Sequence, residues 1–95
     1  MRTFIKMGII SLLYMKNVIK RAILEKLIHM GKWGGAHTDI RNISRLPISI
    51  KKKDYDKAVK ELINDRWLLA KKSTGSIHVS LNSHYKKEIL EFINK

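Results

Sequence analysis

The chain has 95 residues, of which 44% are hydrophobic, and its 20 Lys and Arg against 8 Asp and Glu give a net charge of +12. This length predicts one domain, and the apolar content is that of a folded protein rather than of a disordered basic tail. The lack of cysteine excludes disulfides, cysteine-ligated zinc and thiol catalysis.

The excess of positive charge is the first functional signal. Because self-repulsion at this charge lowers stability, the sequence indicates a polyanionic partner. A second explanation stays open, since 15 of the 20 basic residues are Lys and a coding bias toward Lys and Ile would also raise the charge. The distribution favours a binding surface, because Lys16 to Lys72 holds 15 basic and 6 acidic residues, a net +9.

The start of the chain is apolar and is predicted to form a helical extension over residues 1–14, which places the main domain at residues 15–95. The uncharged run from Met7 to Met15 would span about 14 Å as a helix, less than half of a bilayer core. Lys16 and Asn17 stand where a signal peptide would need small residues for cleavage. We therefore expect no membrane partner and, with no cysteine, a cytoplasmic protein.

Helix one is predicted from Met15 to about Met30, with Gly31 as its stop. Its core face is formed by residues at spacings of three and four, namely Met15, Ile19, Ala22, Ile23, Leu27 and Met30. Leu24 and Ile28 are predicted on the opposite side, and Ile10 and Leu13 join them if the helix extends backward. A helix that is apolar on two sides needs a second partner, so these four residues are the predicted homodimer interface. The alternative is that residues 1–14 fold back on their own domain.

A glycine-rich loop from Gly31 to Gly35 leads to a short second helix. Thr38 is its predicted N-cap, and Asp39 suits the positive end of the helix dipole. Ile40 and Ile43 give the helix a buried side. Because the residue before a proline is biased away from helix, this element is expected to end before Pro47.

The third helix is predicted over Lys51 to Asn64, with Ser49 as its cap. Its apolar face is formed by Tyr55, Ala58, Val59, Leu62 and Ile63. The opposite side carries Lys53, Lys57, Lys60 and Asn64, which form a line of positive charge along the predicted solvent face.

The hydrophobic period then changes from that of a helix to that of a strand. A β-hairpin is predicted from the segment Trp67 to Lys72, a four-residue loop from Ser73 to Ser76, and the alternating Ile77, Val79 and Leu81. Trp67 is predicted to be a core residue. Asn82 or Ser83 caps a last helix, whose inner side carries Tyr85, Ile89, Phe92 and Ile93.

This order of elements resembles the winged helix-turn-helix family over about Lys16 to Leu81. The segments that carry the resemblance are Thr38-Asp39-Ile40-Arg41-Asn42-Ile43, Asp56-Lys57-Ala58-Val59-Lys60-Glu61-Leu62-Ile63 and Trp67-Leu68 through Leu81. The turn Lys71-Lys72-Ser73-Thr74-Gly75 is similar to the wings of small archaeal members, whereas the glycine-rich connection Gly34-Gly35-Ala36-His37 is longer than in the commonest form. The resemblance implies an α+β winged helix-turn-helix fold, with a three-helix core, a two-stranded β-wing and a C-terminal helix.

Candidate nucleic-acid-binding residues follow from this resemblance. In such a fold the third helix enters the major groove, where lysine donates to guanine O6 and N7 and the first turns make most base contacts. Arg41 and Arg45 lie four residues apart on the predicted second helix, where they can share one face and contact phosphates, and the cationic wing tip can do the same. The candidates are Arg41, Arg45, Lys51, Lys52, Lys53, Asp56, Lys57, Lys60, Lys71, Lys72, Ser73, Thr74 and Ser76. For the lysines of the third helix, a solvated face without a partner is the alternative.

Other chemistry finds little support in the sequence. Gly31-Lys32-Trp33-Gly34 matches the Gly-x-x-Gly loop of KH domains, but Ala36-His37-Thr38 follow where aliphatic residues are needed. The four histidines have no metal-ligand spacing, and no catalytic or phosphate-cradling motif occurs. We expect no enzyme activity, no metal, no cofactor and no small-molecule substrate.

The sequence therefore predicts a homodimeric protein that binds double-stranded DNA, either sequence-specifically or generally, and regulates transcription. RNA or ribosome binding through the same basic surface is one alternative. A protein-interaction module is another, because a fold does not by itself determine a function.

Overall fold

The computed structural model describes the backbone of residues 2–46 and 49–95 and the side chains from Met15 onward within those ranges. The described residues form three α-helices and a three-stranded antiparallel sheet, which confirms the predicted α+β class. The elements in chain order are α1 (Arg2–His29), β1 (Thr38–Asp39), a first 3₁₀ turn (Ile40–Ile43), α2 (Lys52–Asn64), β2 (Leu68–Ser73), β3 (Ser76–Leu81), a second 3₁₀ turn (Ser83–Tyr85) and α3 (Lys86–Ile93).

Helix α1 begins at Arg2, so the predicted extension and helix one are one continuous helix. It packs against α2, α3, β3 and the first 3₁₀ turn, and this surrounds it on more than one side. The prediction that Leu24 faces away from the core is therefore wrong, since Leu24 is fully buried beside Ile23 and Leu27. Met15 and Met30, which were predicted on the core face, are exposed.

Of the other three predicted interface residues, the structure describes the side chain of Ile28 alone. Ile28 is half-buried and packs against the same core as Leu24. The side chains of Ile10 and Leu13 lie outside the part of the chain that the structure describes. An interface that uses Leu24 would require this core to open.

The predicted second helix is a short strand followed by a single 3₁₀ turn. Thr38 pairs with Val79 and Asp39 with His78, so β1 adds a third strand to the hairpin in the order β1-β3-β2. The prediction that Thr38 is the N-cap is wrong, because its backbone is in the sheet. Asp39 is the cap instead, and its Oδ1 accepts a hydrogen bond from the backbone N–H of Arg41 at 2.8 Å.

Helix α2 has the buried face that the sequence predicts, with Tyr55, Ala58, Val59 and Leu62 inside. It begins at Lys52, and its N-cap residue Lys51 makes no side-chain cap, so the predicted capping by Ser49 is wrong. The Tyr55 hydroxyl donates to the carbonyl of Ile40 at 3.0 Å and ties α2 to the first 3₁₀ turn. Burial raises the pKa of Tyr55, which keeps this phenol protonated.

The hairpin is tighter than predicted. Ser73 pairs with Ser76, so the loop has two residues, Thr74 and Gly75, rather than four. Gly75 has a φ of 74°, a conformation that favours glycine and suits a two-residue hairpin turn. Because the strands pair up to this turn, Lys71 and Lys72 belong to β2 rather than to a flexible loop.

The last helix closes the core. Asn82 caps the second 3₁₀ turn through His84 N–H, and its amide donates to the Arg66 carbonyl at 2.8 Å. Trp67 is half-buried and packs edge-to-face on Phe92 of α3, with ring centroids 5.4 Å apart. The buried core consists of Ile19, Ile23, Leu24, Leu27, Ile43, Tyr55, Ala58, Val59, Leu62, Leu68, Val79, Leu81 and Ile89.

Within the residues described, none of the helices is both long and apolar enough to cross a membrane.

Candidate nucleic-acid interface

The exposed side of α2 is a line of lysines. Lys53, Lys57, Lys60 and Asn64 are all exposed, on the side opposite the buried face. Across residues 15–46 and 49–95, the ion pairs of the structure involve no lysine of α2. Lys53 and Lys57 lie four residues apart, a spacing at which like charges repel on a helix surface. This face is therefore cationic and suited to an anionic partner.

The acidic residue of α2 that faces α1 is neutralised within the chain. Glu61 Oε1 lies 2.6 Å from Lys16 Nζ and 3.6 Å from Lys20 Nζ, both on α1. The hydrogen bond from Lys16 is the main cause that lowers the pKa of Glu61, and burial opposes it. Glu61 thus fixes α2 against α1 with the lysine line turned outward.

A groove runs along the other flank of α2, between the first 3₁₀ turn, the start of α2 and the hairpin. We call it the α2 groove; it has a volume of about 850 Å³ and is open to solvent. Its lining consists of Ile40, Arg41, Ser44, Arg45, Leu46, Ile50, Lys52, Tyr55, Asp56 and Ile77. Four predicted nucleic-acid-binding residues, Arg41, Arg45, Lys52 and Asp56, therefore meet at one surface although they span three segments of the chain.

The hairpin register separates the two predicted lysines of β2. Lys72 pairs directly with Ile77, which lines the α2 groove, so Lys72 lies on the groove side of the hairpin. Lys71 pairs with His78 and lies on the opposite side of the sheet. Ser73 and Thr74 are exposed at the turn, and Ser76 is half-buried. The sequence alone does not distinguish Lys71 from Lys72, because their sides depend on the register.

The prediction that Arg41 and Arg45 share one helical face is wrong. Arg41 belongs to the 3₁₀ turn, whereas Arg45 follows Ser44, the residue that ends it. The backbone carbonyl of Arg45 accepts a hydrogen bond from Lys26 Nζ of α1. Both arginines still reach the α2 groove, but from separate positions along its rim.

Arg41 also has a partner that the sequence does not predict. Its Nη2 lies 2.7 Å from Asp39 Oδ2, and its Nε lies 3.1 Å from Oδ1. The side-chain and backbone hydrogen bonds from Arg41 hold the pKa of Asp39 well below its usual range, and Asp39 in turn raises the pKa of Arg41. The available signal in the sequence was an acidic residue two positions before an arginine, next to the predicted cap Thr38.

From Met15 onward, in the described ranges, no three His, Asp or Glu side chains form a group that could hold a metal ion.

Comparison of the chain with protein-family models, curated proteins and solved structures finds no match.

Proposed function

We propose that the chain is a small winged helix-turn-helix protein that binds double-stranded DNA and regulates transcription as a dimer. The observation that carries this proposal is the basic surface formed by the exposed lysines of α2, the α2 groove beside them and the groove side of the hairpin. The order of helices and hairpin, and a β1-β3-β2 sheet behind α2, are compatible with a winged-helix arrangement.

The dimensions of α2 suit the major groove of a duplex. A helix with its side chains is about 10–12 Å across, and the major groove of B-DNA is about 12 Å wide. In this arrangement the first turns of α2, with Lys52, Lys53, Asp56 and Lys57, face base edges. Lys60 and Asn64 lie further along α2, on the same exposed side, and would lie beyond the base edges that the first turns contact.

Phosphate contacts supply most of the proposed affinity. Arg45 on the rim of the α2 groove and Lys72 on the hairpin lie to the side of α2, where the duplex backbone would run. Each neutralised phosphate releases counterions, so binding weakens as salt rises, with a slope of about 0.9 per phosphate. The hairpin then braces the flank of the site as a wing.

The proposed dimer uses the N-terminal half of α1. Residues 2–14 continue the helix beyond Met15, which is exposed, and most of them are apolar. Because Leu24 belongs to the core and Ile28 packs against that core at the other end of α1, the proposed interface is Ile10 and Leu13. Light scattering on a sizing column should give twice the 11.1 kDa chain mass at tens of micromolar. A monomer at that concentration, or an unchanged mass after I10D with L13D, would refute the dimer.

Anisotropy titrations across a salt series test DNA binding. The probes are duplex DNA, single-stranded DNA and structured RNA, and duplex DNA is expected to bind tightest. Changing Lys53 and Lys57 to Glu should weaken duplex binding across the whole salt series, because both residues are proposed to face base edges.

The matched control changes Lys87 and Lys95 to Glu, which alters net charge equally at exposed positions in and after α3. Equal losses in the two variants would mean that total charge rather than α2 binds DNA. Tighter binding of structured RNA would favour the RNA- or ribosome-associated alternative. No binding to any of the three nucleic acids would favour the protein-interaction module.

A further inference from the structure

Two histidines that are 41 residues apart in sequence meet at the edge of the sheet. His37 lies in the loop before β1 and His78 lies in β3, and their Nδ1 atoms are 3.0 Å apart. The ring centroids are 5.0 Å apart, with an angle of 71° between the planes. The two Nδ1 atoms are therefore in contact, and the two ring planes are far from parallel.

The backbone on both sides of His37 is fixed to β3. After it, Thr38 pairs with Val79 and Asp39 with His78. Before it, Gly34 N–H donates to the Leu81 carbonyl at 2.9 Å. His37 is thus held against β3 at two points, and the meeting of the rings follows from strand pairing rather than from the side chains alone.

Two facing Nδ1 atoms have a simple chemical use. Neutral imidazole binds copper, nickel and zinc through a ring nitrogen lone pair, at about 2.0–2.1 Å in the case of zinc. With bonds of that length, nitrogens 3.0 Å apart subtend about 90° at a metal. This is the angle between neighbouring ligands in square-planar or octahedral complexes, which copper and nickel adopt with nitrogen ligands.

We propose that His37 and His78 chelate a divalent transition-metal ion, of the nickel or copper class, through their Nδ1 atoms. Without the metal, one Nδ1–H donates to the other Nδ1. When the metal binds, the donor ring loses its Nδ1 proton and takes up one from solvent at Nε2, so both rings stay neutral and both Nδ1 lone pairs bind the metal. Water completes the coordination, because the carboxylate of Asp39, which pairs with His78 in the sheet, is occupied by Arg41. The bound ion links the glycine-rich loop to β3.

Affinity is expected to be modest, because two protein ligands are fewer than the three or four of most metal sites. Lys71 pairs with His78 on the same side of the sheet and repels the cation further. The proposal stands apart from DNA binding, because neither histidine belongs to the α2 groove.

Isothermal titration of the tag-free chain with Ni²⁺ tests the proposal. One ion per chain is expected, together with a rise in melting temperature that Mg²⁺, an ion that prefers oxygen ligands, does not produce. H37Q and H78Q should each lower the Ni²⁺ affinity by at least about tenfold. In NMR spectra of the wild type, Ni²⁺ should perturb first the imidazole signals of His37 and His78.

The matched control is H84Q, since His84 is exposed on another turn and its backbone rather than its ring is hydrogen-bonded. H84Q should bind Ni²⁺ as the wild type does, and circular dichroism should show that all three variants are folded. Unchanged affinity in H37Q and H78Q, an equal loss in H84Q, or no binding below millimolar Ni²⁺ would overturn the proposal. One ion shared by two chains would overturn it as well, because the chelate lies within a single chain.

Discussion

The guanidinium of Arg41 binds the carboxylate of Asp39, with Nη2 2.7 Å from Oδ2. The Asp39 side chain is only 15% exposed, whereas that of Arg41 is 75% exposed. The carboxylate also accepts the backbone N–H of Arg41 and so caps the first 3₁₀ turn. One carboxylate therefore shapes the turn and holds an arginine at the rim of the α2 groove.

Replacing Asp39 with Asn tests this arrangement. Asn keeps an oxygen that can cap the turn, but it removes the ion pair and frees Arg41 for phosphate. We expect lower stability at neutral pH, tighter duplex binding and a salt slope larger by about 1. The second change R41A should abolish the gain in binding. If D39N binds DNA as the wild type does, the ion pair with Asp39 does not reduce the contact of Arg41 with phosphate.

The pH dependence of the Asp39 contribution has a definite sign. Because the folded-state pKa of Asp39 is depressed, its stabilisation is complete above the unfolded value of about 3.9 and is lost as pH falls below it. The difference in unfolding free energy between the wild type and D39N should therefore shrink in acid. Urea unfolding monitored at neutral and at acidic pH measures it, and a constant difference would contradict the ion-pair account.

Lys71 and Lys72 are neighbours in sequence with opposite expected effects. Lys72 lies on the groove side of the hairpin and Lys71 on the side of His78. If the proposed DNA surface is correct, K72E lowers the salt slope of duplex binding by about 1, while K71E leaves it nearly unchanged. The two variants have the same charge and are each other's control. Equal effects of K71E and K72E on the salt slope would mean that the hairpin does not contact DNA through its groove side alone.

Glu61 is expected to stabilise the contact between α1 and α2. E61Q removes the ion pairs with Lys16 and Lys20, at a cost of roughly 1 kcal/mol at neutral pH. For a chain of this size, that lowers the melting temperature by about 4–8 °C. The pKa of Glu61 is lowered, so the contribution is present above its unfolded pKa and disappears as pH falls through the folded value.

E25Q is the control for Glu61. Its partner Arg21 lies four residues away on the same helix, and both side chains are about half exposed. Such a surface pair contributes about 0.3–0.5 kcal/mol, so thermal unfolding should respond less than in E61Q. An equal shift of melting temperature in E61Q and E25Q would show that the ion pairs of Glu61 between α1 and α2 stabilise the chain no more than a surface pair within one helix.

Substitution of Leu24 distinguishes a role in the core from a role in a dimer interface. L24A removes a fully buried side chain and should cost about 2–5 kcal/mol, measured by urea unfolding. M15A, on the same helix but exposed, should change stability by less than about 0.5 kcal/mol. A folded L24A variant with normal stability but half the mass in light scattering would return Leu24 to the interface.

Much of this fold could be predicted from local sequence patterns. The face of α2 that contains Tyr55, Ala58, Val59 and Leu62 follows from helical spacing, and the lysines opposite it are exposed as that spacing requires. Strand β3 and α3 follow in the same way, since each has a hydrophobic period over its own length. Periodicity suffices where an element buries one face against one neighbour.

The same reasoning failed where an element has several neighbours or too few residues for a period. Leu24 was misplaced because α1 is contacted on more than one side, and spacing reports a face rather than the number of partners. The two-residue strand β1 has no pattern of its own. It pairs with the backbone groups on the free edge of β3, which the local sequence around Thr38 does not reveal.

The amino-acid sequence by itself determined that this protein is basic, α+β and lysine-rich along the outer side of one helix. Only the tertiary structure decided which charges act together. Arg41, Lys52 and Ile77 meet at one groove, Asp39 holds Arg41, and His37 touches His78. These contacts join residues through strand register and helix packing, which depend on distant parts of the chain and leave no local spacing to read.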